Sequence, residues 1–221
     1  MMISRRVGFA IFTLISVIIL CLLGIWQLNR MSWKTELITN IVKGFEATPV
    51  VPNSNLAEWR RVALSGQWLS VDPIFVGPIS LSGRLGWYSV SAFRLVSGKV
   101  IFVNRGWVDQ KNKASLVNGE KTNLIGVLRR PKTSGLFLPT NDQEKKQWLR
   151  ILPKEFALAR DLVDVAPYWV ELTQINKENS NLFVLGGLRL PPNNHLQYAI
   201  TWFAFALISC IFGILFWIKN E

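Results

Sequence analysis

The sequence predicts a membrane protein: a two-helix transmembrane hairpin, with one span at each end, enclosing one α+β, β-rich barrel-like extramembrane domain. Three observations predict it. An apolar run extends from Val7 to Leu28. A second stays apolar from Leu196 to Ile218. Between them, runs rich in Val, Ile, Phe, Tyr and Trp recur, broken by Gly and Pro, as suits pleated, half-buried strands. About 20 apolar residues, rising about 1.5 Å each, cross a bilayer core of about 30 Å. The chain then divides into an N-tail (1–6), a first span (7–28), a β-rich domain (29–194), a second span (195–218) and a C-tail (219–221).

The first run is interrupted by Gly8, Thr13, Ser16, Cys21, Gly24 and Gln27. All are tolerable in a helix packed on another helix. Arg5 and Arg6 form a basic start, so a cleaved signal peptide is the rival reading. The run is longer than the usual signal core of about 7–15 residues, and it leads into no small-x-small cleavage site. It ends instead in Trp26-Gln27-Leu28-Asn29-Arg30, an aromatic and basic exit suited to a membrane interface. The segment reads as a retained anchor. Trp33, Leu37 and Ile41 continue the helical period, and Gly44 offers a stop.

Pro49 and Pro52 mark a change of structure. Strands are predicted at Arg61–Leu69, Pro73–Val76, Trp87–Val96, Lys99–Val108, Asn123–Arg130, Tyr168–Thr173 and Leu182–Arg189. The clearest local element is a hairpin turning through Ser97-Gly98-Lys99. A helix is predicted at Pro153–Arg160, with Pro153 suited to its first turn. Asn112–Glu120 and Ser134–Lys146 read as loops, and Gly83 to Gly86 and Gly186-Gly187 as turns.

A long loop crosses a membrane largely regardless of its charge, so the basic flanks do not by themselves fix orientation. Arg5 and Arg6 favour both ends inside and the central domain outside. Setting aside Arg5, Arg6, Lys219 and Glu221, the middle keeps 22 of the 25 basic and 13 of the 14 acidic residues. A domain tethered to the membrane at both ends makes no obvious partner for nucleic acid. Its basic excess suits anionic headgroups of the lipid bilayer or a ligand carrying carboxylates. Cys21 and Cys210 both lie in the spans, which excludes a disulfide framework and a Cys-x-x-Cys redox motif.

The single histidine, His195, stands at the mouth of the second span. Ionisable groups there tend to face a partner, a cavity or a ligand, and neutral imidazole is a common ligand for haem iron. A hydrogen bond to a headgroup or to a partner subunit is the other reading of this residue. No second histidine exists for a Ser-His-Asp or Cys-His site. No metal-ligand spacing and no Gly-rich phosphate loop are present, so the chain does not read as an enzyme. Three clusters stand out: Gly24 to Lys34, Val103-Asn104-Arg105-Gly106-Trp107-Val108, and Asn193 to Trp202. Arg105 beside Trp107 suits a buried ion pair or a cation–π contact. In a helix His195, Tyr198 and Trp202 fall at i, i+3 and i+7, near one face.

With these motifs the chain resembles the Surfeit locus protein 1 family. The match runs through Gly24-x-Trp26-Gln27-x-x-Arg30-x-x-Trp33-Lys34, then Trp59-Arg60-Arg61-Val62 with Gly66, then Val76-Gly77-Pro78. It continues through Val103 to Val108, Phe137-x-Pro139-x-Asn141-Asp142, Trp148 and Asn194-His195-Leu196-Gln197-Tyr198-Ala199-x-Thr201-Trp202. The resemblance implies an assembly factor for haem-copper terminal oxidases, chiefly cytochrome c oxidase, that binds haem a and supplies it to oxidase subunit I. It implies haem a synthase as a second partner and His195 as the haem-linked residue. Tyr198, Trp202, Gln27, Trp26 and Arg30 are then expected around the cofactor, with Arg30 or the basic domain facing propionates. Ser80 stands where relatives often carry a nearby arginine, and Arg84 is the closest basic residue. The alternative is a non-catalytic membrane scaffold that stabilises oxidase subunit intermediates without binding cofactor. The N-terminus lacks an Arg/Ser-rich transit segment, which favours a bacterial inner membrane with a periplasmic central domain.

Overall fold

A computed structural model describes residues 5–109, 121–133, 135, 137–173 and 190–219. The chain separates into two compact units, one of residues 1–40 and 190–221, the other of residues 41–189. Each is described in turn.

The first unit is built on two long helices. Helix α1 runs unbroken over Arg5–Glu46, 42 residues, and α3 over His195–Lys219, 25 residues. The expected helical continuation past Leu28 is therefore part of the same helix. At about 60 Å, α1 is roughly twice as long as a bilayer core is thick. Both helices are long and apolar enough to cross a membrane. Leu14, Ile18 and Leu22 on α1 and Leu207, Phe212 and Leu215 on α3 turn outward into solvent-facing positions. Apolar faces of this size suit lipid and fit two membrane spans.

The two helices pack antiparallel along their length. Gln27 meets His195, Phe203 lies over Gly24, Gly213 faces Thr13, and the rings of Phe9 and Phe216 are 4.0 Å apart. The shielded positions of α3 are Ala199, Trp202, Ala206, Ser209, Gly213 and Phe216, alternating by four and three. That is the spacing of a seam between two supercoiled helices. Its small residues let the backbones approach closely, the usual device in lipid. A Cβ on Gly24 would stand 2.6 Å from the Phe203 ring, so a larger residue there would displace that ring.

The second unit is a mixed six-stranded sheet. Its strands are β1 (Arg61–Trp68), β2 (Ile74–Leu81), β3 (Arg84–Leu95), β4 (Val100–Asp109), β5 (Lys121–Arg129) and β6 (Val165–Leu172), with α2 at Pro153–Ala159. The order is β1-β5-β6-β4-β3-β2. All pairs are antiparallel except β4 with β6. The β-rich domain expected from the sequence is this mixed sheet. β1 also pairs with β3, but through three residue pairs only, Gly66 with Leu95 to Trp68 with Phe93.

β4 forms the middle of the core, and every residue from Val100 to Val108 is buried. Alternation sends Ile101 and Val103 into one cluster, with Val62, Leu64, Phe93, Leu128 and Val170. It sends Val100 and Phe102 into a second, with Ile74, Val90, Trp148 and Phe156. Phe156 of α2 closes this second cluster, edge-on to Phe102 at 5.3 Å and to Trp148 at 5.1 Å.

β3 and β5 begin a few residues earlier than the sequence predicts, and β2 and β6 are extended, each through a proline. β2 runs on past Val76 to Leu81 because its register slips between Val76 and Ile79. Pro78 sits in that slip, where no ladder N–H is needed. β6 begins at Val165, and its pairing with β4 is irregular around Pro167, which is exposed. The turn read from Gly83 is a two-residue β2–β3 connection, with Ser82 and Gly83 at φ of 51° and 77°. Part of the expected loop at residues 134–146 carries a short bridge, Asp142 to Gln147. The expected strand Leu182–Arg189, the turn Gly186-Gly187 and the loop Asn112–Glu120 lie outside the described residues.

Candidate functional site

His195 is the first residue of α3. Pro191 and Pro192 bar a helix from running back through them, and Asn194, whose carbonyl accepts from the Tyr198 N–H, stands at the N-cap position. The connection is tied to α1. Asn193 Nδ2 donates to Thr35 Oγ1 at 3.1 Å and to the Met31 carbonyl at 3.4 Å.

Two turns from Thr35 towards the N-terminus, Gln27 is buried in α1 and reaches His195. Its Oε1 stands 2.8 Å from His195 Nδ1. With the amide oxygen as acceptor, the imidazole donates Nδ1–H and keeps its lone pair on Nε2. Metal-ligating histidines are oriented in this way, one nitrogen held by a neighbour and the other open to the ion. The sequence reading expects Gln27 beside the cofactor; in the structure its side chain meets the imidazole.

Trp202 follows His195 on the same seam, half-buried between Ala199 and Ala206. Its indole Nε1 is buried and has no hydrogen-bond partner among the described residues. A buried donor without an acceptor costs about 1–3 kcal/mol. Tyr198 lies about 60° around the helix from His195 and is 56 % exposed. Trp26 is also 56 % exposed. Arg30 is exposed, with its guanidinium 4.0 Å above the Trp33 ring. So His195, Gln27 and Trp202 share the seam, while Tyr198, Trp26 and Arg30 stand outside it on the apolar flank. Sequence reasoning did not single out Thr35. Its position two turns beyond Gln27, on the helical period, was the available signal.

This donor set suits one imidazole ligand to a large apolar metal complex. Among the described residues no cluster of three His, Cys, Asp or Glu side chains forms a protein-only cage.

The β4 cluster resolves differently from its expectation. Arg105 does not pair with Trp107. Its guanidinium lies 5.4 Å from the Trp68 ring, and it is 4 % exposed. Its Nη1 has no partner among the described residues. Burial lowers its pKa to about 10. Trp107 instead has the Arg84 guanidinium 5.5 Å from its ring, and its Nε1 donates to the Ile79 carbonyl at 3.0 Å. Arg84, the basic residue nearest the Gly77-Pro78 loop, is thus engaged with Trp107.

The chain is similar to known proteins over most of its length. A family model described as the SURF1 family matches residues 14–207. A SURF1-like protein of Rickettsia felis is 31% identical over 219 residues, covering 92% of this chain and 94% of that protein. Surfeit locus protein 1 of Takifugu rubripes is 27% identical, over 82% of this chain and 85% of its own. A cytochrome oxidase assembly protein, SHY1 of Saccharomyces cerevisiae, is 29% identical over 62% of this chain and 40% of its own.

Proposed function

The chain belongs to the SURF1 family, and we propose that it is a membrane-anchored assembly factor for cytochrome c oxidase that carries haem a. The observation that carries the haem reading is the His195–Gln27 pair, which holds the proton on Nδ1 and leaves Nε2 to bind iron. The relative named as a cytochrome oxidase assembly protein supports the oxidase as the destination.

Haem a is cargo in this reading, and oxidase subunit I receives it after haem a synthase makes it. His195 ligates the iron. Gln27 orients the ring. The exposed apolar flank with Trp26 and Tyr198 offers area to the macrocycle and its hydrocarbon tail. Arg30 offers a cation to a propionate. One protein ligand, rather than a closed cage, suits a carrier that must let go. The protein is non-catalytic, resides in a bacterial inner membrane and exposes residues 29–194 to the periplasm.

The test is purification from cells that make haem a, followed by an absorption spectrum. Co-purified haem with a histidine-ligated Soret band is the expected result. A haem-free preparation that also takes up no added haem counts against the reading and favours the scaffold.

A further inference from the structure

The sheet unit carries a second site that the haem reading does not use. A cavity of about 450 Å³ opens among residues from β2, β4, β5, β6 and the segments around Trp59 and Arg150. Small-molecule pockets are commonly of this size, with apolar walls and a few converging polar groups. Three of the motifs quoted from the sequence meet here, through Trp59, Val76 and Asn104.

Its walls are fixed in advance. The Arg129 guanidinium lies 3.7 Å from the Trp59 ring and 5.4 Å from the Trp169 ring. Arg129 is also ion-paired with Glu58 at 3.2 Å and with Glu171 at 2.8 Å. Trp59 is held at a φ of 71°, a left-handed backbone uncommon for a bulky residue, with its N–H donated to the Leu128 carbonyl. Such conformations persist where their surroundings enforce them, often at ligand clamps.

Charge then selects the ligand. Glu58 and Glu171 are the two acidic residues lining the cavity, and Arg129 engages both. The other lining cations are Arg130, Lys132 and Arg150, and none pairs with a carboxylate among the described residues. Arg130 and Arg150 are steadied instead by main-chain carbonyls, of Ser54 and Leu56 in one case and of Pro139 and Lys132 in the other. Main-chain acceptors orient a guanidinium and leave its charge uncompensated.

We propose that this cavity binds a small amphipathic anion, an apolar body carrying a carboxylate or a phosphate. The apolar body packs against Trp59, Trp169 and Ile151, and the anionic group meets Arg130, Lys132 and Arg150.

The experiment is calorimetric titration of the full chain in neutral-lipid nanodiscs. The probes are naphthalene-2-carboxylate, 2-naphthyl phosphate and the uncharged naphthalene-2-carboxamide. One or both anions should bind with one site per chain, and the amide at least about tenfold more weakly, the order of one lost charged contact. Binding should weaken with salt. Carboxylate binding alone would point to an organic acid, and phosphate binding alone to a phosphate ester. Arg150→Gln should cost about tenfold. Lys132→Gln, whose side chain bonds no main-chain carbonyl among the described residues, should also weaken the anions and leave the melting temperature unchanged. Equal affinity for amide and anions, no binding of either anion, or affinities unmoved in the folded Lys132→Gln and Arg150→Gln chains would overturn the proposal.

Discussion

His195 and Gln27 sit on different helices, 168 positions apart, and meet through a hydrogen bond of 2.8 Å between Nδ1 and Oε1. The bond fixes which imidazole nitrogen is open. If His195 carries haem as proposed, Gln27 acts as a positioning residue whose effect is felt through His195. Gln27→Leu keeps an apolar seam and removes the acceptor. Haem affinity should fall about tenfold or more, as is usual when a ligand's orienting partner is lost. The measurement is a haem titration of the purified variant beside wild type. An unchanged affinity would mean that the bond has no part in ligand orientation.

Gly66 lies where β1 meets β3. A Cβ there would stand 2.9 Å from Leu95 Cα and closer still to the Arg94 carbonyl. Gly66→Val should therefore separate β1 from β3 and destabilise the sheet unit by about 1–3 kcal/mol. Limited proteolysis should then cut the unit faster. Cleavage at the wild-type rate would show that the three-pair contact is dispensable.

Arg105 is buried without an ion pair among the described residues, and burial holds its pKa at about 10. Below about pH 10 the guanidinium is charged whether the chain is folded or not, so the cost of burying it is present in full. Above that value the folded chain releases the proton before the unfolded chain does, and stability rises with pH until the ordinary arginine value is reached. Arg105→Met keeps the volume and removes the charge. Its melting temperature at neutral pH should equal or exceed wild type. A drop of more than a few degrees would show that the charge is compensated.

Both ends of the chain should lie in the cytoplasm. Alkaline phosphatase fused near Asn118 should be active, and the same reporter after Glu221 inactive. The reverse pattern would put His195 in the opposite leaflet.

Much of the fold was legible from the sequence because its signals are strong and local. Val7–Leu28 and Leu196–Ile218 announce helices by length and hydropathy, and the Ser97-Gly98-Lys99 turn announces a hairpin. The predicted strands stop short of Pro78 and Pro167, yet each proline sits at a register slip where a missing N–H costs nothing. The six-stranded order was out of reach, since β4 and β6 are parallel neighbours with β5 and α2 between them in sequence. At the site, His195, Gln27 and Trp202 were visible as residues. Their partnership was not, because it depends on the relative register of two helices. The heptad spacing of the seam sets that register, and Tyr198, one position off it, turns outward. Arg105 and Trp107, two apart, would share a face of a regular strand, but the register slips between the Ser89–Gly106 and Val90–Asn104 pairs, so Arg105 is the extra residue of a bulge and lies by Trp68 instead.

The central claim is that His195 Nε2 ligates haem iron, and a haem a titration of wild type, Tyr198→Phe and His195→Ala tests it most directly. Wild type should bind with a histidine-ligated Soret band. Tyr198→Phe should bind within several-fold of wild type, since a neutral hydrogen bond is worth about 1 kcal/mol. His195→Ala should lose that band and most of its affinity while remaining in the membrane, because no second histidine can replace it. Wild-type affinity and an unaltered Soret band in His195→Ala would contradict the account.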